Sequence, residues 1–440
     1  MAAVDEFDAI VIGAGFAGVT AARELNAQGL RPLVLEARHR IGGRTWTDTF
    51  DGVMIEYGGG WFSPHQELAM KELERYGIPL VEGVLPMPEW GVFPIEDGTL
   101  KPFGADESLG RLGELLTLIF EGSEELLPRP HDPLFAKERI LKADALSLRE
   151  HLDSLGLGER DHKWINTLVA GFSGGFSKNG AYTALAQWWQ VAGGNLQDWI
   201  TIEGQAPRSG MSALAQEILN DARARVHLNS PVSRIDDDGA RVHVTTADGR
   251  RHSAPVAVLA VPANVWPTID FRPGLPAAHA EAAAQGISVP HSSRVWLRVR
   301  GDFGPVHVRD DEGGLLTPLF THSVLGDGEQ LLTGYSQNPA LDVSRPEQIR
   351  EVLRRLLPQA ELISYRAHDW GHDPYSLGGW ALRRPGQLAQ LPLIQQPHGR
   401  IAFANDGIAS GWNGFIDGAI ESGLRAAGQA AQIAQHRQNS

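Results

Sequence analysis

The sequence predicts an α/β chain in which one nucleotide-binding domain, built from separated segments, is interleaved with an α+β domain. Three observations carry this reading. An apolar run, Ala9 to Ile12, passes directly into a glycine-rich turn that opens a helix. A second apolar run, Val256 to Pro262, returns after a long stretch of helical segments, and a strand, a loop and a small-residue helix follow from Gly399 to Gly423.

The opening element is the most informative. Gly13-Ala14-Gly15-Phe16-Ala17-Gly18 is a G-x-G-x-x-G turn between strand and helix, the layout that sets a pyrophosphate on a helix N-terminus. Gly13 permits the tight turn, Gly15 lets the backbone approach phosphates, and Gly18 lets helix and strand pack closely. Ala17, Ala21 and Leu25 give the helix a small apolar face. The next strand, Pro32 to Leu35, ends in Glu36, an acid placed to accept the hydroxyls of an adenosine ribose. Turn, helix and acid together specify a dinucleotide.

The continuation, Ala37-Arg38-His39-Arg40-Ile41-Gly42-Gly43-Arg44-Thr45, resembles the flavin amine oxidase family of the monoamine oxidase type. The resemblance implies a Rossmann-like FAD-binding domain of the glutathione-reductase type, with Gly43 and Arg44 along the pyrophosphate and Phe16, Ala17, Gly18, Ala37 and Arg38 among the other cofactor-binding residues. There is no cysteine, so a cysteinyl-linked flavin is excluded and the FAD is expected to be non-covalent.

Composition narrows the function classes. The chain has 440 residues, enough for two domains and a large core. Acidic side chains outnumber basic ones, 53 to 39, and the net charge of -14 disfavours a nucleic-acid or anionic-membrane partner. No apolar run reaches the length of a membrane span, and Met1 to Phe7 lacks the basic and apolar segments of a secretory signal. The cytoplasm is the expected location. The sixteen histidines show no paired ligand spacing, so no metal is expected.

Further along, Asp51 to Tyr57 reads as a hairpin leading to Gly58-Gly59-Gly60-Trp61. The resemblance places Gly59, Gly60 and Trp61 at the edge of the isoalloxazine ring, while His65 reads as structural. Residues 79–205 read as mostly helical, with segments Glu107 to Leu127 and Leu146 to Leu155, and Trp188, Trp189 and Trp199 read as core. In the family, a loop at Gly171 to Gly174 reaches the substrate cavity, which makes Phe172 and Ser173 wall residues. A helix from Met211 to Asp221, a strand from Val226 to Val232 and a hairpin of Arg241 to Thr246 with Arg251 to Ser253 then return to the nucleotide domain. In similar flavoproteins the backbone at Val232 clamps adenine. Alternation in Arg294 to Arg300 begins a second sheet that would floor the cavity, and Pro346 to Leu357 reads as a helix. The domains expected are thus 1–78, 206–288 and 385–440 for FAD, and 79–205 with 289–384 for substrate.

The C-terminal third resembles the family most strongly. His368-Asp369-Trp370, Pro374, Gly379 to Ala381 and Arg384 to Gln387 follow the pattern of its bacterial 6-hydroxy-L-nicotine oxidase-like members. Asp406, Gly414, Phe415 and Ile416 are implied FAD contacts, although Asn405-Asp406-Gly407 departs from the usual spacing, leaving either an acid shifted by one position or a rearranged loop. The last helix begins near Gly414 and Phe415, with Asn413 as N-cap, and its partial positive charge would stabilise reduced flavin. By resemblance, Trp380 and Phe415 form a cage that orients the amine. Phe415 stands where a tyrosine is usual. Arg294 stands where the family has a lysine that assists the reaction with oxygen, and arginine cannot act as a base.

The implied reaction is oxidation of a small secondary or cyclic amine by hydride transfer to flavin N5, giving an imine that hydrolyses, with reoxidation by O2. Two alternatives stand beside it. One is an amine dehydrogenase with another electron acceptor, motivated by Arg294. The other is an L-amino-acid oxidase, which needs an arginine for the carboxylate; the stretch from Met87 to Phe103 has none, leaving Arg294 or Arg383.

Overall fold

The computed structural model describes residues 7–82, 85–86, 88–94, 100–202 and 204–435. The acidic start, 1–6, and Met87 lie outside them. Five parallel strands form the nucleotide sheet, in the order Ile401–Phe403, Val256–Leu259, Ala9–Ile12, Pro32–Leu35, Arg225–His227. Ala9 lies in register with Pro32 on one side and Val256 on the other. The three central strands are buried along their whole length, because helices cover one face and the strands Val242–Thr246 and Arg251–Ala254 pack on the other, and this is why they read as unbroken apolar runs. The helix Phe16–Ala27 packs against the final helix, Ile416–Gln435. A Cβ on Gly423 would lie 2.5 Å from the Ala17 carbonyl, so the two helices approach through a residue without a side chain.

The second large sheet has seven strands, in the order Glu361–Asp369, Ser293–Arg300, Glu329–Ser336, Leu319–Gly326, Val306–Val308, Trp90–Pro94, Leu100–Gly104. The stretch 79–205 is therefore less helical than its pattern suggests, since Trp90–Pro94 pairs in parallel with Val306–Val308 and extends this sheet. Its partner lies more than 200 residues away, which no local periodicity reports. The helix expected over Glu107 to Leu127 is two helices, Ala105–Ile119 and Ser123–Leu126, parted by Gly122 at φ +75°. The helix expected from Leu146 starts at Leu148, where Ser147 and Glu150 form a capping box. The run Val226 to Val232 is also broken: Asn229 at φ +51° separates Arg225–His227 from Val232–Asp237, which joins a four-stranded sheet with Val242–Thr246, Arg251–Ala254 and Asp270–Arg272. Asp51 at φ +49° and Gly52 at φ +82° turn the hairpin between Thr47–Phe50 and Val53–Glu56. Among the described residues no helix is long and apolar enough to cross a membrane.

Candidate active site

A cavity of about 620 Å³ runs from the nucleotide sheet to the seven-stranded sheet. Its first end is mostly main chain. Gly13, Gly15, Phe16 and Ala17 line it at the start of the first helix. Gly13 has φ +99°, and a Cβ there would lie 2.7 Å from the Ala260 carbonyl. Gly18 does not line the cavity; a Cβ on it would strike the Gly13 carbonyl, so it serves helix–strand packing alone. Glu36 is buried, and its two carboxylate oxygens accept from the Ala14 and Arg38 amides, each at 2.8 Å. Burial pushes its carboxyl up, against those two bonds.

Three arginines shape this end. Arg38 donates to Asp373 at 2.6 Å and Ser376 at 2.8 Å. Burial opposes ionisation of Asp373, yet His368 and Arg38 hold it well below the usual carboxylate range. Arg40, unassigned from the sequence, braces the glycine loop by donating to the carbonyls of Ile41, Gly43 and Thr45, each at 3.1 Å. Arg44 donates to Ser288 Oγ at 3.1 Å, to the Gly379 carbonyl and to the Asp406 carboxylate. Asp406 thus faces the cavity from the short turn that Asn405 closes by accepting from the Gly407 amide at 2.9 Å.

Gly59, Gly60 and Trp61 continue the wall, followed by Gly414, Phe415 and Ile416 at the start of the final helix; Ala37, Gly43 and Val232 also border the cavity. Asn413 is not the N-cap. Gly414, at φ +87°, comes between Asn413 and the helix, and the Asn413 side-chain Nδ2 instead donates to the carbonyls of Asp406 at 3.2 Å and Gly407 at 2.8 Å. Gly418 does not border the cavity; a Cβ there would meet the Trp412 carbonyl. Asp417, in the first turn, is buried with its carboxyl raised to about 6, and it accepts from the Ala69 amide at 2.8 Å.

The second end is built from side chains. Trp380 donates its indole N–H to the Phe172 carbonyl at 3.0 Å, and its ring stands 86° to Tyr335 with centroids 6.2 Å apart. Phe415 is held edge-on between Trp188 and Trp412, both at 4.9 Å. Trp188, read from the sequence as core, also lines the cavity, and its N–H reaches the Asn413 carbonyl at 2.8 Å. Ser173 does not line it: at the end of the helix Glu159–Phe172 its hydroxyl turns back to the Val169 carbonyl at 2.8 Å. His65 lies 3.3 Å from Asp198, consistent with a structural role.

Arg294 is 1% exposed and borders the cavity from within a set of rings, its guanidinium carbon 4.1 Å from the Tyr335 centroid, 4.7 Å from Trp61 and 5.1 Å from Trp296. Glu56, beside it, has its carboxyl raised to about 7 by burial, with Arg294 among the groups that oppose the rise. Arg383 is buried against Gln187 and does not line the cavity, so it cannot clamp a substrate carboxylate. His307, Arg309, Phe320, Tyr335 and Gln337 do line it, and no local motif marks them.

One cavity thus joins a main-chain cradle at the N-terminus of the helix Phe16–Ala27 to an aromatic chamber that the start of the final helix also borders. The model for flavin containing amine oxidoreductases matches residues 16–431. The chain belongs to that family. The oxidoreductase is 35% identical to a pseudooxynicotine dehydrogenase of a Pseudomonas species over 97% of this chain and 86% of the relative. It is 26% identical to the (S)-6-hydroxynicotine oxidase of Paenarthrobacter nicotinovorans, over 94% of this chain and 97% of that one. The fold of cyclohexylamine oxidase from Brevibacterium oxydans superposes with a TM-score of 0.78 at 21% identity, over 98% of this chain and 100% of that one.

Proposed function

We propose that this oxidoreductase binds FAD non-covalently and oxidises a small secondary or cyclic amine. The observation that carries the reading is that Trp380 and Phe415 line the same cavity as the Gly13–Ala17 cradle and the start of the helix Ile416–Gln435. A bound FAD would supply the hydride acceptor for the carbon next to the amine nitrogen, and the resulting imine would hydrolyse in water. Gly13, Gly15, Gly43, Arg44 and Asp406 would hold its pyrophosphate and ribityl chain, Glu36 its ribose, Val232 its adenine, and Gly59 to Trp61 the ring edge. The N-terminus of the final helix would favour negative charge on the reduced cofactor. Trp380 and Phe415 orient the amine, and the largely apolar wall around them favours its neutral form, which alone has a lone pair to drive hydride loss.

A second reading concerns the electron acceptor. Arg294 is enclosed by Trp61, Trp296 and Tyr335 and has no proton to exchange at working pH. This supports an amine dehydrogenase passing electrons to an acceptor other than O2, and it agrees with the name of the 35% identical relative. The L-amino-acid reading is weakened by the position of Arg383. The divided arrangement expected from the sequence, 1–78, 206–288 and 385–440 around 79–205 and 289–384, is the domain division we propose.

Turnover of secondary amines in air tests both readings. Aldehyde or ketone product is expected. Hydrogen peroxide in equal amount marks an oxidase, flavin that stays reduced in air for minutes marks a dehydrogenase, and carbonyl product from L-amino acids alone would overturn the proposal.

A further inference from the structure

Besides Trp380 and Phe415, the seven-stranded sheet and the end of the helix Glu159–Phe172 line the cavity. Two polar side chains project there from the sheet. Gln337 follows the strand Glu329–Ser336, is 3% exposed, and its Oε1 is buried with no hydrogen-bond partner among the described residues. His307, central in Val306–Val308, packs its ring 5.7 Å from Phe320, and its Nε2 is likewise buried without a partner. Both residues line the cavity. A buried polar atom left unpaired is costly, so two of them lining one cavity are groups a ligand can satisfy.

The charges around them restrict that ligand. Burial, and then the charge of Arg309, hold His307 neutral, with its pKa down at about 3. Arg294 and Arg309 also line this part of the cavity, while its only lining carboxylates, Glu36 and Asp406, stand at the nucleotide end among the described residues. A second ammonium group on the substrate would therefore meet like charge. Arg309 already has interactions of its own, so it is not a ready-made carboxylate clamp.

We propose that His307 and Gln337 are specificity-determining residues that take an uncharged hydrogen-bonding group, such as a hydroxyl, carbonyl or heteroaromatic nitrogen, carried by the substrate at the end opposite its amine. The inference rests on the amine-oxidation reading above and names the substrate class within it: amines with a neutral polar tail, in preference to simple alkylamines, diamines or amino acids.

The test uses the holoenzyme with N-methylhexylamine and the three analogues in which its terminal methyl is replaced by hydroxyl, ammonium or carboxylate. The rate of anaerobic flavin bleaching gives selectivity, and perturbation of the flavin spectrum gives binding without turnover. The hydroxyl analogue should exceed the hydrocarbon by roughly tenfold or more in kcat/KM, with the ammonium and carboxylate analogues below both. His307→Phe and Gln337→Leu should collapse that ratio toward one at unchanged flavin content, and Gln337→Glu should shift preference toward the ammonium analogue. A preference for carboxylate, or a hydroxyl-to-methyl ratio unaltered in both variants, would overturn the proposal. If the analogues bind in the expected order yet none bleaches the flavin, amine oxidation fails while the assignment of His307 and Gln337 stands.

Discussion

The two ends of the cavity are made in different ways. At the nucleotide end the wall is backbone: Gly13, Gly15, Gly43 and Gly59 present amides and bare Cα atoms, and the few side chains that matter, Glu36 and Arg44, are tied to other parts of the protein. At the substrate end the wall is side chain, with Trp380, Phe415, Trp188, Phe172, His307 and Gln337 arriving from separate segments. Backbone geometry tolerates almost no substitution and is the same for every ligand of one shape. Side chains can be exchanged one at a time, so this end is where members of one family can come to differ in substrate.

This contrast predicts how each end fails. Gly13→Val is expected to have the largest effect, because the residue needs φ +99° and a side chain would meet the Ala260 carbonyl. The variant should purify without flavin, its affinity reduced by roughly a hundredfold or more. A yellow Gly13→Val protein would break the contrast at once. Trp380→Ala should keep full flavin content and lose about a hundredfold in kcat/KM for amines, the scale of lost substrate orientation. Absorbance and steady-state rates on one preparation read both quantities.

Smaller effects sharpen the comparison within the substrate end. Arg294→Lys replaces a planar guanidinium with an ammonium that can carry a water, and should raise the rate of reoxidation in air by roughly tenfold while changing the anaerobic reduction less. Stopped-flow measurement of the two half-reactions separates them. The smallest expected effect is on stability. Glu56 is buried, with its carboxyl raised from 4.5 to about 7, so its contribution is complete below 4.5 and is lost as pH rises through 7. The melting temperature should therefore fall by a few degrees from about pH 5 to about pH 8, and Glu56→Gln should flatten part of that decline.

The same contrast explains what was legible in the sequence. Strand, glycine turn, helix and acid lie within 8–45 and obey local rules, so the elements that line the nucleotide end of the cavity could be read directly. Trp380 and Phe415 were legible as cavity-lining residues because each sits in a short motif. His307, Arg309 and Gln337 were not, since they reach the cavity only through strand pairing across the seven-stranded sheet, and nothing local marks which face of a strand points inward. Ser173 misled for a related reason: a serine at the end of a helix can bond its own last turn, and this one does so with Val169. Asn413 has the right chemistry for an N-cap, but the left-handed Gly414 moves the helix start beyond its reach.

One measurement bears most directly on the claim that a flavin and an amine meet between these two ends. The purified holoenzyme, free of oxygen, is titrated with a secondary amine while the flavin absorbance is followed. The account predicts bleaching that is complete at one equivalent of amine per flavin, slowed several-fold when the carbon next to nitrogen carries deuterium. Flavin that remains oxidised with every amine, or that is bleached by L-amino acids alone, would contradict it.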